Sequence, residues 1–348
     1  MIIKQLNRFI ALLLFVLLSC SEKYEIVTGE TGIFATHNSS TRALGEETII
    51  RVFTEDGKEV TDESTIFVNG ERFDDNTFTA DQTGFYEVIA KYQNIESSQL
   101  FVEYHDGSQV NYKKRVLIED YTGTWCGWCP RVSHGMKLVS EISEDVVFIA
   151  IHRAPVGTSD PYNYTNAEEL EQFINTPGYP KGFINRTNQW KFPEPSNLRQ
   201  VVEFKQGSNP KLGLALNSSQ NNNFINVSVN VGFAKNFSNL KLVVQLLENN
   251  LVYPQVNYTD YYEGNNPIEA YVHDYTLRYT ATNILGDEIP NAETFDTNQW
   301  QKNLAFPLPE NIEDINQLDI VAFVVNENGE VINVRKSSLG EQQEFEME

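Results

Sequence analysis

The chain has 348 residues, 41% of them apolar, which is ample for two or three domains with their own cores. With 48 acidic against 26 basic residues the net charge is −22, so nothing here could neutralise a phosphate backbone, and nucleic acid is excluded as a partner. Three cysteines are too few for a disulfide-built miniprotein and leave room for one intrachain pair at most.

The chain opens with "MIIKQLNRFIALLLFVLLSC": two basic residues, Lys4 and Arg8, then an apolar run over 9–18. That run is shorter than the ~20 residues of a comfortable membrane-spanning helix and has the build of a secretory signal. Its end, "LLSC", places a leucine three positions before a cysteine and a small residue directly before it. This resembles the bacterial lipobox. The resemblance implies cleavage of residues 1–19 and a lipid on Cys20, hence a protein of a Gram-negative cell envelope, anchored in the outer membrane and facing either periplasm or exterior. Contact with a membrane would then come from that lipid, since the charge opposes it. An ordinary cleaved signal with an incidental cysteine is the alternative. The N-x-S/T triplets opened by Asn38, Asn217 and Asn236 read as solvated loops.

From residue 24 to about 106 short strands alternate with polar turns. "ETIIRVFTEDGKEV" breaks at Asp56-Gly57, and "STIFVNGERF" repeats the device at Asn69-Gly70. In "TGFYEVIAKYQN", Tyr86, Val88 and Ala90 alternate against Glu87, Ile89 and Lys91. This spacing predicts a small β-sandwich. The T-G-x-Y-x-V-x-A run resembles the late strands of immunoglobulin-like domains, so residues 20–106 are expected to form such a domain, a spacer above the anchor.

Residues 107–206 read differently. "RVLIEDY" is an unalternating apolar strand, as expected of one buried on both faces. After it, "VSHGMKLVSEIS" sets Val132, Met136, Val139 and Ile142 at helical spacing, and "DVVFIAIH" is a second buried strand. "TNAEELEQFIN" opens with Thr165 and Glu168 as a capping box, "GFINR" is a further strand, and "PSNLRQVVEFKQ" is a helix capped by Ser196. The sum is an α/β pattern. From residue 207 the chain is strand-rich again, ending in a hairpin that turns at Asn328-Gly329, and a second β-sandwich is expected over 207–348.

Between the first buried strand and its helix lies "EDYTGTWCGWCPR", residues 119–131. Cys126 and Cys129 have no partner but each other once Cys20 is assigned. A cysteine at a helix N-terminus sees unpaired N–H groups and partial positive charge, which stabilise its thiolate. Cys126 is therefore the expected nucleophile and Cys129 the resolving thiol. Trp125 would wall the site, and Pro130 fits the first helical turn. Two alternatives stay open. A zinc site would draw on His134 and His152 but lacks a fourth ligand. A purely structural disulfide in so tight a ring would be a poor staple. No metal and no cofactor is expected, and Pro130 stands where covalent haem would need a histidine.

"VLIEDYTGTWCGWCP" resembles the active-site strand and turn of the thioredoxin superfamily over about residues 110–206. The wider arrangement, with "HRAPVGTSDPYN", "GYPKGFINR" and a β-rich tail, is similar to the Omp28-related outer-membrane lipoproteins of Bacteroidetes-type bacteria. The first resemblance implies a central thioredoxin-like α/β domain with a redox-active Cys126–Cys129 disulfide and a cis proline facing it. That proline is expected at Pro180, with Tyr179 before it, and Pro177 is the rival; Trp125, Tyr179 and Pro180 would meet substrate. It also implies a buried proton acceptor beneath the second cysteine, matched by Asp120, with Glu119 on the other strand face; either acid could instead be salt-bridged. Gly127-Trp128 between the cysteines departs from the common pattern, which leaves the direction of electron flow open. His134 and His152 could tune the thiolate.

Two functions are compatible with these features. The first is a lipid-anchored thiol–disulfide oxidoreductase acting on thiols and disulfides of exported proteins, with a further redox partner. The second is a surface interaction or adhesion lipoprotein in which the central segment is a non-catalytic scaffold.

Overall fold

The computed structural model describes residues 32–175 and 178–348. The expected signal over 1–19, the lipid site Cys20 and the rival Pro177 lie outside the described residues.

The first nine strands make two facing sheets. They are β1 (Ile33–His37), β2 (Thr41–Ala43), β3 (Thr48–Thr54), β4 (Ser64–Val68), β5 (Glu71–Phe73), β6 (Thr77–Phe78), β7 (Gly84–Tyr92), β8 (Ile95–Glu96) and β9 (Leu100–His105). One sheet runs β1-β3-β6; the other runs β2-β9-β7-β4-β5, with β8 on β7. The predicted alternation in β7 holds where it matters, because Val88 and Ala90 are fully buried. The β4–β5 hairpin closes through two residues, Asn69 (φ 50°) and Gly70 (φ 82°), the left-handed pair a tight hairpin turn requires. This body does not stand apart as a spacer. Phe34 and Phe53 leave its core and pack among the helices beyond it.

The next strand, β10 (Val116–Thr122), is buried at all seven positions. Helix α1 (Pro130–Ile142) leads to β11 (Val146–His152), which lies parallel to β10. Helix α2 (Glu168–Ile174) precedes β12 (Lys181–Ile184), antiparallel to β10, then β13 (Asn188–Gln189) and α3 (Leu198–Lys205). All four helical-spacing residues of α1 are buried, beside Leu198, Val201 and Val202 of α3. Neither expected cap forms: Ala167 stands at the start of α2 and Asn197 at the start of α3, both without a side-chain bond.

The chain then runs through β14 (Leu212–Asn221), β15 (Phe224–Phe233), β16 (Lys241–Glu248), β17 (Leu251–Val252), β18 (Val272–His273), β19 (Thr276–Thr280), β20 (Asp287–Glu288), β21 (Gln299–Pro307), β22 (Leu318–Val325) and β23 (Val331–Ser338). Here the expected fold class is overturned. An immunoglobulin-like sandwich, a self-contained thioredoxin-like α/β domain and a C-terminal sandwich would keep their strands apart. Instead one nine-stranded sheet runs β13-β12-β10-β11-β19-β16-β22-β23, with β20 on β16, so strands from 241–338 complete the sheet begun at β10. Among the described residues strands make up 42% and helices 15%, a β-rich multi-sheet fold with no helical α/β core. The physical reason is the free edge of β11. A strand buried on both faces still needs a backbone neighbour, and it takes β19, where Ala150 N–H donates to the Tyr275 carbonyl at 2.8 Å.

The sheet has cores on both sides. Leu117, Ile149, Ile151 and Phe183 share one with Val243, Leu247, Leu277, Val321 and Phe323. The opposite face of β16 and β22 packs on the three-stranded sheet β14-β15-β21.

Candidate functional site

The cysteine turn sits where β10 ends and α1 begins. Cys126 and Cys129 are joined as a disulfide, with Cys129 at the cap position of α1 and Pro130 as its first residue. Both are buried, 4% and 1% exposed. Asp160 ties the turn to β11 and the loop after it. Asp160 accepts from the Thr124 N–H at 2.7 Å and from His152 Nδ1 at 2.9 Å, while its other oxygen takes the Tyr162 N–H. His152 is thereby engaged with Asp160 through Nδ1. His134 lies flat on the Tyr261 ring, centroids 4.1 Å apart, and burial lowers its pKa first, with Lys137 adding to the effect.

Trp125 donates from Nε1 to the Arg153 carbonyl at 2.7 Å and meets Tyr179 edge-on at 5.7 Å. The Tyr179 hydroxyl bonds to Glu171, which also pairs with Arg153. The Tyr179-Pro180 peptide is cis, and β12 comes directly after it. Of the expected group, Trp125 and Tyr179 are thus in contact, and Pro180 follows Tyr179 through the cis bond.

The two acids on β10 separate. Glu119 is salt-bridged to Arg186 at 2.9 Å, both fully buried, and Arg186 also donates to the Ile284 carbonyl and lies over Phe323. Asp120 is 1% exposed with no cation on it, and its Oδ1 has no hydrogen-bond partner. Burial first, then Glu194, raises its pKa well above the usual carboxylate value, against the pull of Arg131. It faces a cavity of about 420 Å³ behind the turn, which Ser133 and Met136 of α1, Tyr262, Tyr271 and His273 also line. The His273 ring touches His152 and is held neutral, its pKa lowered to about 3 by burial and then by His152.

Sequence reasoning missed the cover. Residues 253–258, from the connection between β17 and β18, lie across the cysteine turn. Gln255 Nε2 donates to the carbonyls of Cys126 (3.0 Å) and Gly123 (3.2 Å). Val256 N–H donates to Thr124 O at 2.9 Å, and Tyr258 N–H to Gly127 O at 2.6 Å. The Tyr258 ring rests on Gly127 so closely that a Cβ there would fall 2.3 Å from it. Asn257 holds the segment's shape: its Nδ2 reaches the carbonyls of Tyr261 and Asn265, and its Oδ1 takes both donors of Thr259. The available signal was the pair of amides in "YPQVNYTDYYEG", a run without apolar periodicity whose Gln255 and Asn257 are nonetheless buried. Around the covered turn stand exposed aromatics: Trp128 (53%), Tyr258 (59%) and Phe192 (71%), the last under the Arg131 guanidinium.

The family of outer membrane protein Omp28 matches residues 167–343, just over half of the chain and most of its length beyond β11. The chain belongs to the Omp28 family. The match takes in the segment over the turn and every strand that completes the large sheet, but begins after Cys126 and Cys129. The family is one of outer membrane proteins, which places this member with the envelope; among the described residues no helix is long and apolar enough to cross a membrane. In fold, this Omp28-family chain is similar to HBP35 of Porphyromonas gingivalis, with TM-score 0.50 and 18% identity over 67% of this chain and 78% of that one. A protein of Agrobacterium tumefaciens overlaps less well, with TM-score 0.39 and 12% identity over 69% of this chain and 99% of its own. No protein of curated function matches the sequence.

Proposed function

We propose that this Omp28-family chain is an envelope interaction protein, held at the outer membrane by a lipid on Cys20, whose cysteine turn is part of a docking face. The observation that carries this reading is the contrast at the turn. The disulfide is buried beneath residues 253–258, while Trp128, Tyr258 and Phe192 stand exposed around it with Arg131 at their side. Tryptophan, tyrosine and arginine are the side chains that dominate protein interfaces, since they bury much area at little entropic cost. The occupant is a protein segment of neutral or basic character, because the chain's net charge of −22 repels acidic surfaces.

A second reading is thiol–disulfide exchange with exported proteins, in which Cys126 attacks, Cys129 resolves, Asp120 takes the proton and Trp125, Tyr179 and Pro180 meet the substrate. The buried Asp120 carboxyl, with its Oδ1 unpartnered and its pKa raised well above the usual value by burial first and then by Glu194, favours it. One experiment separates the two. A partner crosslinked to the wild-type protein in native envelopes is identified, and its binding is measured to Trp128→Ala/Phe192→Ala and to Cys126→Ser/Cys129→Ser. The interaction reading expects the aromatic variant to lose at least about tenfold in affinity and the serine variant to keep it. Binding that needs Cys126 and is reversed by thiols would transfer the assignment to the second reading.

A further inference from the structure

We infer that residues 253–258 are an internal occupant of the docking face, and that an outside segment reaches the disulfide only by taking their place. This rests on the docking-face reading and names the kind of segment the face accepts.

Three features make 253–258 look like a bound guest. Beside the two bonds of the Gln255 side chain, it bonds to the turn through its own backbone: Val256 N–H to Thr124 O and Tyr258 N–H to Gly127 O. Such bonds ask nothing of the guest's sequence, so another extended chain can make them. Its side-chain anchor on the turn, Gln255, donates to the carbonyls of Gly123 and Cys126, each of which also accepts a backbone N–H within the turn. Its aromatic, Tyr258, fills the space that Gly127 leaves open and meets Trp128 edge-on at 6.0 Å. Gly127 has φ outside the left-handed region, so its turn geometry does not demand glycine; the ring above it does. The face therefore selects an extended segment with an amide side chain and, three residues on, an aromatic one.

The covering is also incomplete in a way a permanent structural element is not. Tyr258 is 59% exposed, so its ring gains little from burial and can leave at modest cost. Asn257, itself within the segment, binds Thr259, Tyr261 and Asn265 through four hydrogen bonds, so 253–258 moves off the turn together with the residues directly after it and keeps its own shape as it does.

The test is the rate at which dithiothreitol reduces the Cys126–Cys129 bond in the signal-free full chain. In that reaction the S–S bond breaks to give two protein thiols, and the reagent's two thiols close to its cyclic disulfide, so two electrons and two protons pass to the protein. Tyr258→Gly and Gln255→Ala are each expected to speed reduction by roughly ten- to a hundredfold, the range set by one or two lost contacts of closure. Gly127→Ala, which strikes the ring from the other side, is expected to do the same, and Phe85→Ala on the N-terminal sheet to change nothing. In Tyr258→Gly, a free peptide of residues 253–260 is expected to restore protection, and the same peptide with its second aromatic replaced by alanine is not. Wild-type rates in all three folded variants, or a peptide without effect, would overturn the inference. Because the reagent needs no partner protein, these results stand apart from whether the proposed interaction exists. Reduction that the wild type undergoes as fast as an unfolded control would likewise sink it.

Discussion

Alternation along β10 sends Glu119 to the face where Arg186 lies and Asp120 to the face of the cavity. For Glu119 the charge is matched, and the pair is costly to break from one side only. Arg186→Met is expected to lower stability by about 3–5 kcal/mol because it leaves a buried carboxylate unpaired. Adding Glu119→Gln to it should recover most of that loss; urea melts of the single and double variants check both, and a near-neutral single variant would refute the account. For Asp120 the pKa is raised on folding, so the sign is reversed from the usual carboxylate. Below the unfolded value of ~3.9 both states hold the proton and the group is neutral to stability. As pH rises above that, the unfolded chain ionises while the folded one does not, and stability falls until the folded pKa is passed, by at most about 1.4 kcal/mol per pH unit. Asp120→Asn should remove this slope, so that its advantage over the wild type is absent near pH 4 and grows towards pH 8. Parallel profiles across that range would count against a buried, protonated Asp120.

Elements defined by their own residues were legible, and those defined by a distant partner were not. The run "RVLIEDY" announces a strand buried on both faces, the spacing of Val132, Met136, Val139 and Ile142 announces α1, and Asn328-Gly329 announces the β22–β23 hairpin; each is a local pattern, and each is present. The Cys126–Cys129 disulfide was also readable, because both cysteines lie on one tight turn. The cover was not. Gln255 and Asn257 look like solvated loop amides until the carbonyls they serve, more than a hundred residues away in the case of Gln255, are known. An amide made to hold a loop gives a specific expectation. Asn257→Ala removes both the acceptor for Thr259 and the donor to Tyr261 and Asn265, and should cost roughly 1–3 kcal/mol. Hydrogen exchange should quicken across 253–268 while β10 and α1 keep their protection. Uniform loss of protection would mean that this connection is not a separate unit of stability.

At the scale of the whole molecule the decisive fact is where the large sheet finds its strands. Residues 107–206 carry a strand–helix–strand pattern that reads as self-sufficient, yet Leu117, Ile149, Ile151 and Phe183 are covered by Val243, Leu247, Leu277, Val321 and Phe323 from beyond it. The edge of β11 closes on β19, and the opposite core receives Phe34 and Phe53 from the first body. A chain cut at 107 and 206 would therefore expose one apolar face outright, leave a strand edge unpaired and lose two aromatics from the other face. Each defect alone removes several kcal/mol from a net stability that is only about 5–15 kcal/mol for a domain. The isolated 107–206 fragment is expected to show no cooperative thermal transition and to bind a hydrophobic dye, whereas residues 32–348 melt as one transition. A cooperative melt of the fragment would mean that the central segment is autonomous and that the shared sheet is only an association of finished parts. The shared sheet also shows how the cover comes to the cysteine turn: β18 leads into β19, which pairs with β11, and β17 follows β16, which pairs with β19, so the connection between β17 and β18 starts and ends beside the strands that neighbour β10 and β11.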